Sequence, residues 1–190
     1  RAKGWTTLLP MGQIDRQSPQ EFARWGRDLG TALSIPLTLE HHPKPPTVVR
    51  LVLISRRDYG EAMQAPAAIL RFALPKPNLW QRLTGRGFGS FAAGDLLGIL
   101  PQGATLARYY SLASGNKDGF VEIALRKHQG GLCSGQLMAL QPGQAVQAFL
   151  RRNPDFHPDR RKTPLILIGA GTGIGPLAGF IRSQGGQRPI

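Results

Sequence analysis

Arg108-Tyr109-Tyr110-Ser111-Leu112-Ala113-Ser114, in the middle of a 190-residue chain, sets a fixed cation, two adjacent aromatics and two serines within seven residues. Read as an extended strand, the stretch alternates its side chains, so Arg108 and Tyr110 share one face and Tyr109 and Ser111 the other. A guanidinium beside a tyrosine ring suits a ligand that carries both a phosphate and a flat ring. The same residues also read as a half-buried strand whose tyrosines fill a core. The surrounding chain has to decide between the two.

On either side the chain has the texture of short strands between turns. Residues 48–54 are a β-branched run, and residues 67–74 form a second one closed by Pro75. Arg86-Gly87-Phe88-Gly89 reads as loop. Residues 94–101 make a strand introduced by a Gly-Asp turn and stopped by Pro101. Residues 120–127 follow Gly119, and Pro142-Gly143 turns into residues 144–150. Six strands at this spacing predict a small antiparallel barrel or sandwich, here placed at residues 46–160. Between the last two strands, Gly130-Gly131-Leu132-Cys133-Ser134 is a glycine turn that opens a short helix.

Further out, residues 18–33 predict one amphipathic helix. Ser18 is a good N-cap, Pro19 fits the first helical position and Glu21 completes a capping box. Phe22, Trp25, Leu29 and Leu33 recur on one face, though nothing nearby in the sequence is an obvious partner for it. The proline-rich stretch 40–46 reads as a stiff linker that closes a segment at residues 1–45. Beyond Arg160-Arg161-Lys162, residues 164–168 form a short apolar run of the kind buried on both faces of a parallel sheet. Gly169-Ala170-Gly171-Thr172-Gly173-Ile174-Gly175-Pro176 follows at once. Leu177, Phe180 and Ile181 then give a helical face that ends at Gly185-Gly186, and residues 188–190 lead toward another strand. One β-α unit makes no sheet, so residues 161–190 are expected to be the start of a truncated α/β domain.

Composition narrows the partners. The net charge of +13, with a pI near 11.2, is carried mostly by arginines scattered in pairs such as Arg56-Arg57 and Arg151-Arg152. That spread favours anionic cofactors or an acidic protein partner over a dense nucleic-acid tract. Cys133 is the only cysteine and the four histidines lack ligand spacing, so neither a disulfide framework nor a metal site is expected. No run of 18 apolar residues exists, so no membrane span is expected within the chain. A lone thiol is compatible with a reducing compartment, and the expectation is cytoplasmic, with membrane tethering of a longer parent left open.

A glycine turn between a buried strand and a helix lets backbone N–H groups approach a phosphate at the positive helix end. The dinucleotide pattern Gly-x-Gly-x-x-Gly does not fit, because its third glycine falls on Ile174 or Pro176. A P-loop fails too, since no Lys-Ser/Thr pair follows. The turn at 130–134 makes the same argument more weakly, with Ser134 as an extra donor, while Cys133 alone reads more naturally as a small buried hydrophobe.

Taken together, these segments resemble the ferredoxin–NADP reductase superfamily, and within it the reductase portion of diflavin enzymes of the sulfite reductase flavoprotein type. Arg108-Tyr109-Tyr110-Ser111 is similar to that family's Arg-x-Tyr-Ser flavin motif. Gly131-Leu132-Cys133-Ser134 is similar to its pyrophosphate motif, and the loop at 169–176 to its nicotinamide-nucleotide loop. Gly94-Asp95 to Pro101 and the Asn153-x-x-Phe156-x-Pro158 pattern also fall in the family's order. The resemblance implies a β plus α/β fold: an antiparallel six-stranded FAD-binding barrel, then the first β-α unit of an NADP-binding domain. It implies that Arg108 pairs with the FAD pyrophosphate, Tyr110 stacks on the isoalloxazine and Ser111 approaches flavin N5, which makes Ser111 and Tyr110 the catalytic candidates. Tyr109 is counted with the cofactor-binding residues although it points to the other face. Ala124, Leu125 and Arg126 would line the flavin site, Gly131, Leu132, Cys133 and Ser134 would hold its diphosphate, and Gly171, Thr172 and Gly173 the pyrophosphate of NADP.

The implied activity is hydride transfer from NADPH to FAD, with electrons passed to an FMN or flavodoxin-like module, a haem-type acceptor or another acidic electron-transfer partner. The helix at 18–33 is similar to the last helix of an upstream flavodoxin-like module. One departure is that the helical insertion of diflavin reductases before Arg-x-Tyr-Ser is missing, since Thr105-Leu106-Ala107 follows Pro101 closely. Two other readings use the same residues: a flavin–siderophore type reductase on the same barrel, and a basic barrel that grips nucleic acid by its backbone, which predicts strongly salt-dependent binding to arbitrary DNA or RNA.

Overall fold

Alternation along the strands sets the architecture. In the run 67–73, Ala68, Leu70 and Phe72 are buried while Ala67, Ile69 and Arg71 are not, as a pleated ribbon with one face on a core requires. The computed structural model describes residues 6–14, 18–41, 46–75, 87–158 and 164–184. It divides into two compact units, Arg1–Pro45 and Pro46–Ile190. The sequence expectations at prolines 43 and 45, Arg86, Arg160-Arg161-Lys162, Gly185-Gly186 and 188–190 lie outside the described residues.

The first unit is built on helix α1, Pro19–Leu33. Ser18 Oγ accepts the Glu21 N–H at 3.2 Å, and Ser34 ends the helix in the left-handed region at φ 55°. The partner that the sequence did not reveal is the chain immediately after the helix. Gly26 and Gly30, not the large apolar residues, are its buried positions, and a Cβ on Gly26 would sit 2.9 Å from Leu39 Cβ. Two glycines four apart let the following segment lie close on the helix.

The second unit is a six-stranded antiparallel sheet: β1 Val49–Tyr59, β2 Ala67–Ala73, β3 Leu96–Leu100, β4 Arg108–Ser111, β5 Phe120–Arg126 and β6 Ala145–Arg151. The strand order is β4-β3-β6-β1-β2-β5. Leu51, Leu53, Leu70, Phe72, Leu97, Ile99, Val121, Ile123 and Leu125 fill one core inside the curl. The edge strands β4 and β5 meet without a ladder. A single antiparallel bridge joins Leu112 to Ile123, and the Ala113 N–H donates to Glu122 O at 2.8 Å. The barrel is therefore approximate, with a seam that opens away from that bridge. Strand β1 runs on past residue 54 through Arg56-Arg57-Asp58. Polar residues serve there because β2 pairs with them and Arg56 Nε bonds Asp58 at 2.8 Å.

Among the described residues two α-helices complete the unit, α2 Leu132–Ala139 and α3 Ile174–Gln184. The expected buried strand at 164–168 differs in the structure. It has no ladder, and Ile166 and Ile168 are 83% and 90% exposed. A parallel strand is buried by its neighbours, and the described residues supply none beside it.

Candidate functional site

Pairing fixes where the opening motif points. Tyr110 pairs with Leu97 and Arg108 with Ile99, so both side chains fall on the face that carries the core, and Tyr110 packs against it. Tyr109 pairs with Gly98 on the outer face. There its ring stands edge-on to Phe149 at 5.9 Å, with the Arg151 guanidinium 5.2 Å from the ring centre. Gly98 is required by this arrangement, because a Cβ there would lie 2.4 Å from the Phe149 ring.

Helix α2 brings Cys133 to the same place. Tyr110 and Cys133 interact through their side chains, and the Arg108 charge acts on both. Burial raises the pKa of Tyr110, and the contact with Cys133 adds to the rise. Burial also raises that of Cys133, against the pull of Tyr110 and Arg108. Cys133 is thus a neutral, buried thiol. Arg108 is half-buried, and among the described residues its guanidinium has no carboxylate partner and one long contact, 3.5 Å, to the carbonyl of Ala107. A half-buried guanidinium left this free is suited to an incoming anion.

The turn before α2 is tight. A Cβ on Gly131 would lie 2.6 Å from Ser134 Oγ, and no side chain caps the helix. Ser134 is buried and already used within the turn. Its hydroxyl accepts the His128 N–H at 3.1 Å and donates to Gly131 O at 3.3 Å. Leu132, at the first helical position, is 52% exposed.

A second cluster lies across the seam. Ala124, Leu125, Arg126, Gly171 and Thr172 line one cavity of about 730 Å³, and Gly173 completes the same turn. Gly171 takes φ 55° and is exposed, which leaves its amide free of side-chain crowding. Arg56, Arg57, Arg71 and Arg182 also line this cavity, with Glu122 between Arg71 and Arg182, so its walls carry a net positive charge. The structure thus gathers Arg108, Tyr110 and Cys133 in one group and residues 124–126 with the 171–173 turn in another. Ser111 follows Tyr110 on β4, opposite Leu96, and is half-buried with no hydrogen-bond partner for its hydroxyl among the described residues.

Sequence reasoning named Asp95, Asn153 and Phe156 only as parts of motifs and missed the contacts that join them. Asp95 is fully buried and its carboxylate takes four contacts: Ala92 N–H at 3.0 Å, Asn153 N–H at 3.0 Å, Arg152 Nη1 at 3.3 Å and His157 Nε2 at 3.1 Å. This carboxylate ties the turn after β6 to the start of β3, and the turn sets Phe156 5.4 Å from Phe180 of α3. A Cβ on Gly94, φ 93°, would meet the Phe156 carbonyl at 2.1 Å. The Gly-Asp pair in the sequence signalled a turn; only the fold shows the buried carboxylate joining the start of β3 to the turn after β6. Among the described residues no group of acidic, His and Cys side chains could hold a metal, and no helix is long and apolar enough to cross a membrane.

No family model matches the chain. Similar curated proteins include the NADPH-dependent diflavin oxidoreductase 1 of Saccharomyces cerevisiae, 30% identical over 86 residues, which is 40% of this chain and 14% of that protein. Another is the sulfite reductase (NADPH) flavoprotein alpha-component of Vibrio parahaemolyticus, 32% identical over 104 residues, or 48% of this chain and 16% of that one. Among solved structures, ferredoxin-NADP+ reductase from Plasmodium falciparum with 2′P-AMP aligns with a TM-score of 0.57 at 20% identity, covering 72% of this chain and 51% of that one. The chain thus spans a small part of these curated relatives and about half of the solved structure. The fold is that of the ferredoxin–NADP reductases, and these two curated relatives are a diflavin oxidoreductase and a sulfite reductase flavoprotein component.

Proposed function

We propose that this chain is the flavin-binding part, with the beginning of the nucleotide-binding part, of an NADPH-dependent flavoprotein reductase. The observation that carries the reading is Arg108: a half-buried guanidinium without a carboxylate partner among the described residues, on the same face of β4 as Tyr110. Residues present at the seam fit FAD. Arg108 and the uncapped start of α2 would hold its diphosphate, Tyr110 would flank its ring, and Ala124 to Arg126 would line the opposite side. The 171–173 turn, with Arg57 on the wall of the 730 Å³ cavity, would hold the phosphates of NADPH. Bound there, FAD would supply the chemistry: it accepts a hydride, two electrons with a proton, from NADPH and passes the electrons on.

This chain's own residues contribute position and one hydrogen bond. Ser111 has a free, half-buried hydroxyl that can donate to the ring atom receiving the hydride, and the glycine turn sets the nucleotide's approach. The net charge of +13 favours an acidic acceptor, in keeping with an FMN or flavodoxin-like module. The test is reconstitution with FAD followed by NADPH under anaerobic stopped flow. A yellow protein that bleaches supports the reading, and absence of bound flavin refutes it. In that setting Ser111→Ala is expected to keep its FAD yet reduce it about tenfold more slowly or worse. An unchanged rate removes Ser111 from the mechanism.

A further inference from the structure

Arg182 lies in the last turn of α3, where a cation would ordinarily serve the helix's own carbonyl end. Its contacts go to the sheet instead. Nη2 lies 2.9 Å from Glu122 Oε1, and Nη1 donates to the carbonyl of Ala113 at 3.2 Å. The same guanidinium is 3.8 Å from Asp118 and 5.5 Å from the centre of the Phe120 ring. Glu122 is only 3% exposed, and its other oxygen is paired with Arg71.

These contacts fall on both lips of the seam. Ala113 lies two residues beyond Ser111, and Glu122 two residues before Ala124. The lips touch at the Leu112–Ile123 bridge, and the Ala113 N–H to Glu122 O bond lies beside it. Helix α3 approaches the same point with glycines. A Cβ on Gly175 would lie 2.9 Å from Ala124 Cβ, and one on Gly179 would lie 2.5 Å from Ala113 O. One guanidinium therefore fastens the helix that starts at the glycine turn to the place where β4 and β5 meet.

We propose that Arg182 is a positioning residue: it fixes the 171–173 turn in register with Arg108–Ser111 and with residues 124–126, so that a nucleotide on the turn meets the ring on β4. The proposal rests on the reductase reading for its consequence, and on the contacts of Arg182 for its cause. Hydride transfer is steeply sensitive to the separation of the reacting atoms, so a slack α3 slows the step without abolishing either ligand's binding. A guanidinium is needed because its planar fork serves a carboxylate and a carbonyl at once, which a lysine ammonium does less well. Removing Arg182 leaves Glu122 paired with Arg71, so the buried carboxylate keeps a counter-charge and the fold survives.

The test compares the full chain with Arg182→Gln and Arg182→Lys. Amide hydrogen exchange on the flavin-free proteins reads the clamp itself. FAD retention and stopped-flow reduction by NADPH read its consequence. In Arg182→Gln, exchange across 174–184 is expected to rise about tenfold or more while β1, β3 and β6 keep their protection. Bound FAD is expected to be retained, with its reduction about tenfold slower at saturating NADPH and the half-saturating concentration nearly unmoved. Arg182→Lys is expected to restore part of both. Unchanged exchange in α3, or a rise spread evenly over the sheet, overturns the proposal, as does an equal reduction rate in all three proteins. A wild-type chain that takes up no flavin, or is not bleached by NADPH, refutes the reductase reading instead, and the exchange pattern then decides the clamp alone.

Discussion

The strand that carries Arg108 to Ser111 and the turn at Gly171–Gly173 are both candidates for gripping a cofactor, yet they are made in opposite ways. Strand β4 is laddered to β3 along its length, and Tyr110 packs against the core while touching Cys133. The turn is exposed at both glycines, is closed by the Gly173 N–H to Ala170 O bond at 3.1 Å, and follows a segment whose isoleucines face solvent. In the first region side chains serve the core and the site together. In the second the backbone is the instrument, and the side chains are nearly free of structural duty. Function and stability should therefore be coupled in one place and separable in the other.

The sharpest way to break this contrast is a pair of alanines. Tyr110→Ala removes a ring packed on the core and is expected to lower unfolding free energy by about 2–3 kcal/mol while also weakening flavin retention. Thr172→Ala is expected to leave stability within about 0.5 kcal/mol and to show itself only in the NADPH concentration needed for half-maximal flavin reduction. Urea unfolding of both variants, with flavin retention measured alongside, checks the pair. Equal losses of stability would mean that the turn is structural after all.

How much of this could be read from the chain follows the same division. The strands at 67–73, 96–100, 120–126 and 145–151 were legible because alternation and turn residues are local signals. The helix at Pro19–Leu33 was legible from its cap, and the cluster of Arg108 with Tyr110 from the period of a strand. What joins distant segments was not. Arg182 and Glu122 are 60 residues apart, Asp95 and Asn153 58, and no spacing rule connects them. Nor did the apolar run at 164–168 reveal that its side chains would be exposed, since burial on both faces depends on strands that the run itself does not contain. Phe22, Trp25, Leu29 and Leu33 marked the apolar face of α1 in the sequence, whereas in the fold Gly26 and Gly30 are its buried positions.

A milder perturbation acts on the seat of α3, where the two regions touch. Gly179→Ala gains about 1 kcal/mol of helix propensity but places a methyl 2.5 Å from Ala113 O and 2.6 Å from Ala93 Cβ. Backbone cannot yield as a flexible side chain does, so overpacking is expected to win by about 1–2 kcal/mol net. Thermal denaturation measures the loss. A more stable variant would show that α3 lies looser on the sheet than its glycines suggest, and the coupling between the regions would fall with it.

The smallest expected effect separates the regions by pH alone. Burial raises the pKa of both Cys133 and Tyr110 above their ordinary values of 9.0 and 10.0. In the folded chain these groups hold their protons to a higher pH than in the unfolded chain, so between the two pKa values the native state binds more protons. Stability is then complete below about pH 9 and falls as pH rises, first through Cys133 and then through Tyr110. The glycine turn has no titratable side chain between residues 169 and 175, so it adds nothing to that slope. Urea midpoints at pH 7.5, 9 and 10 are expected to decline in the wild type. Cys133→Ala should flatten the early part of the decline and Tyr110→Phe the later part, because each removes a group that the folded seam holds neutral. If both variants keep the full alkaline slope, the Tyr110–Cys133 contact is not buried as tightly as the fold places it, and the coupling of stability to function at β4 loses its physical basis.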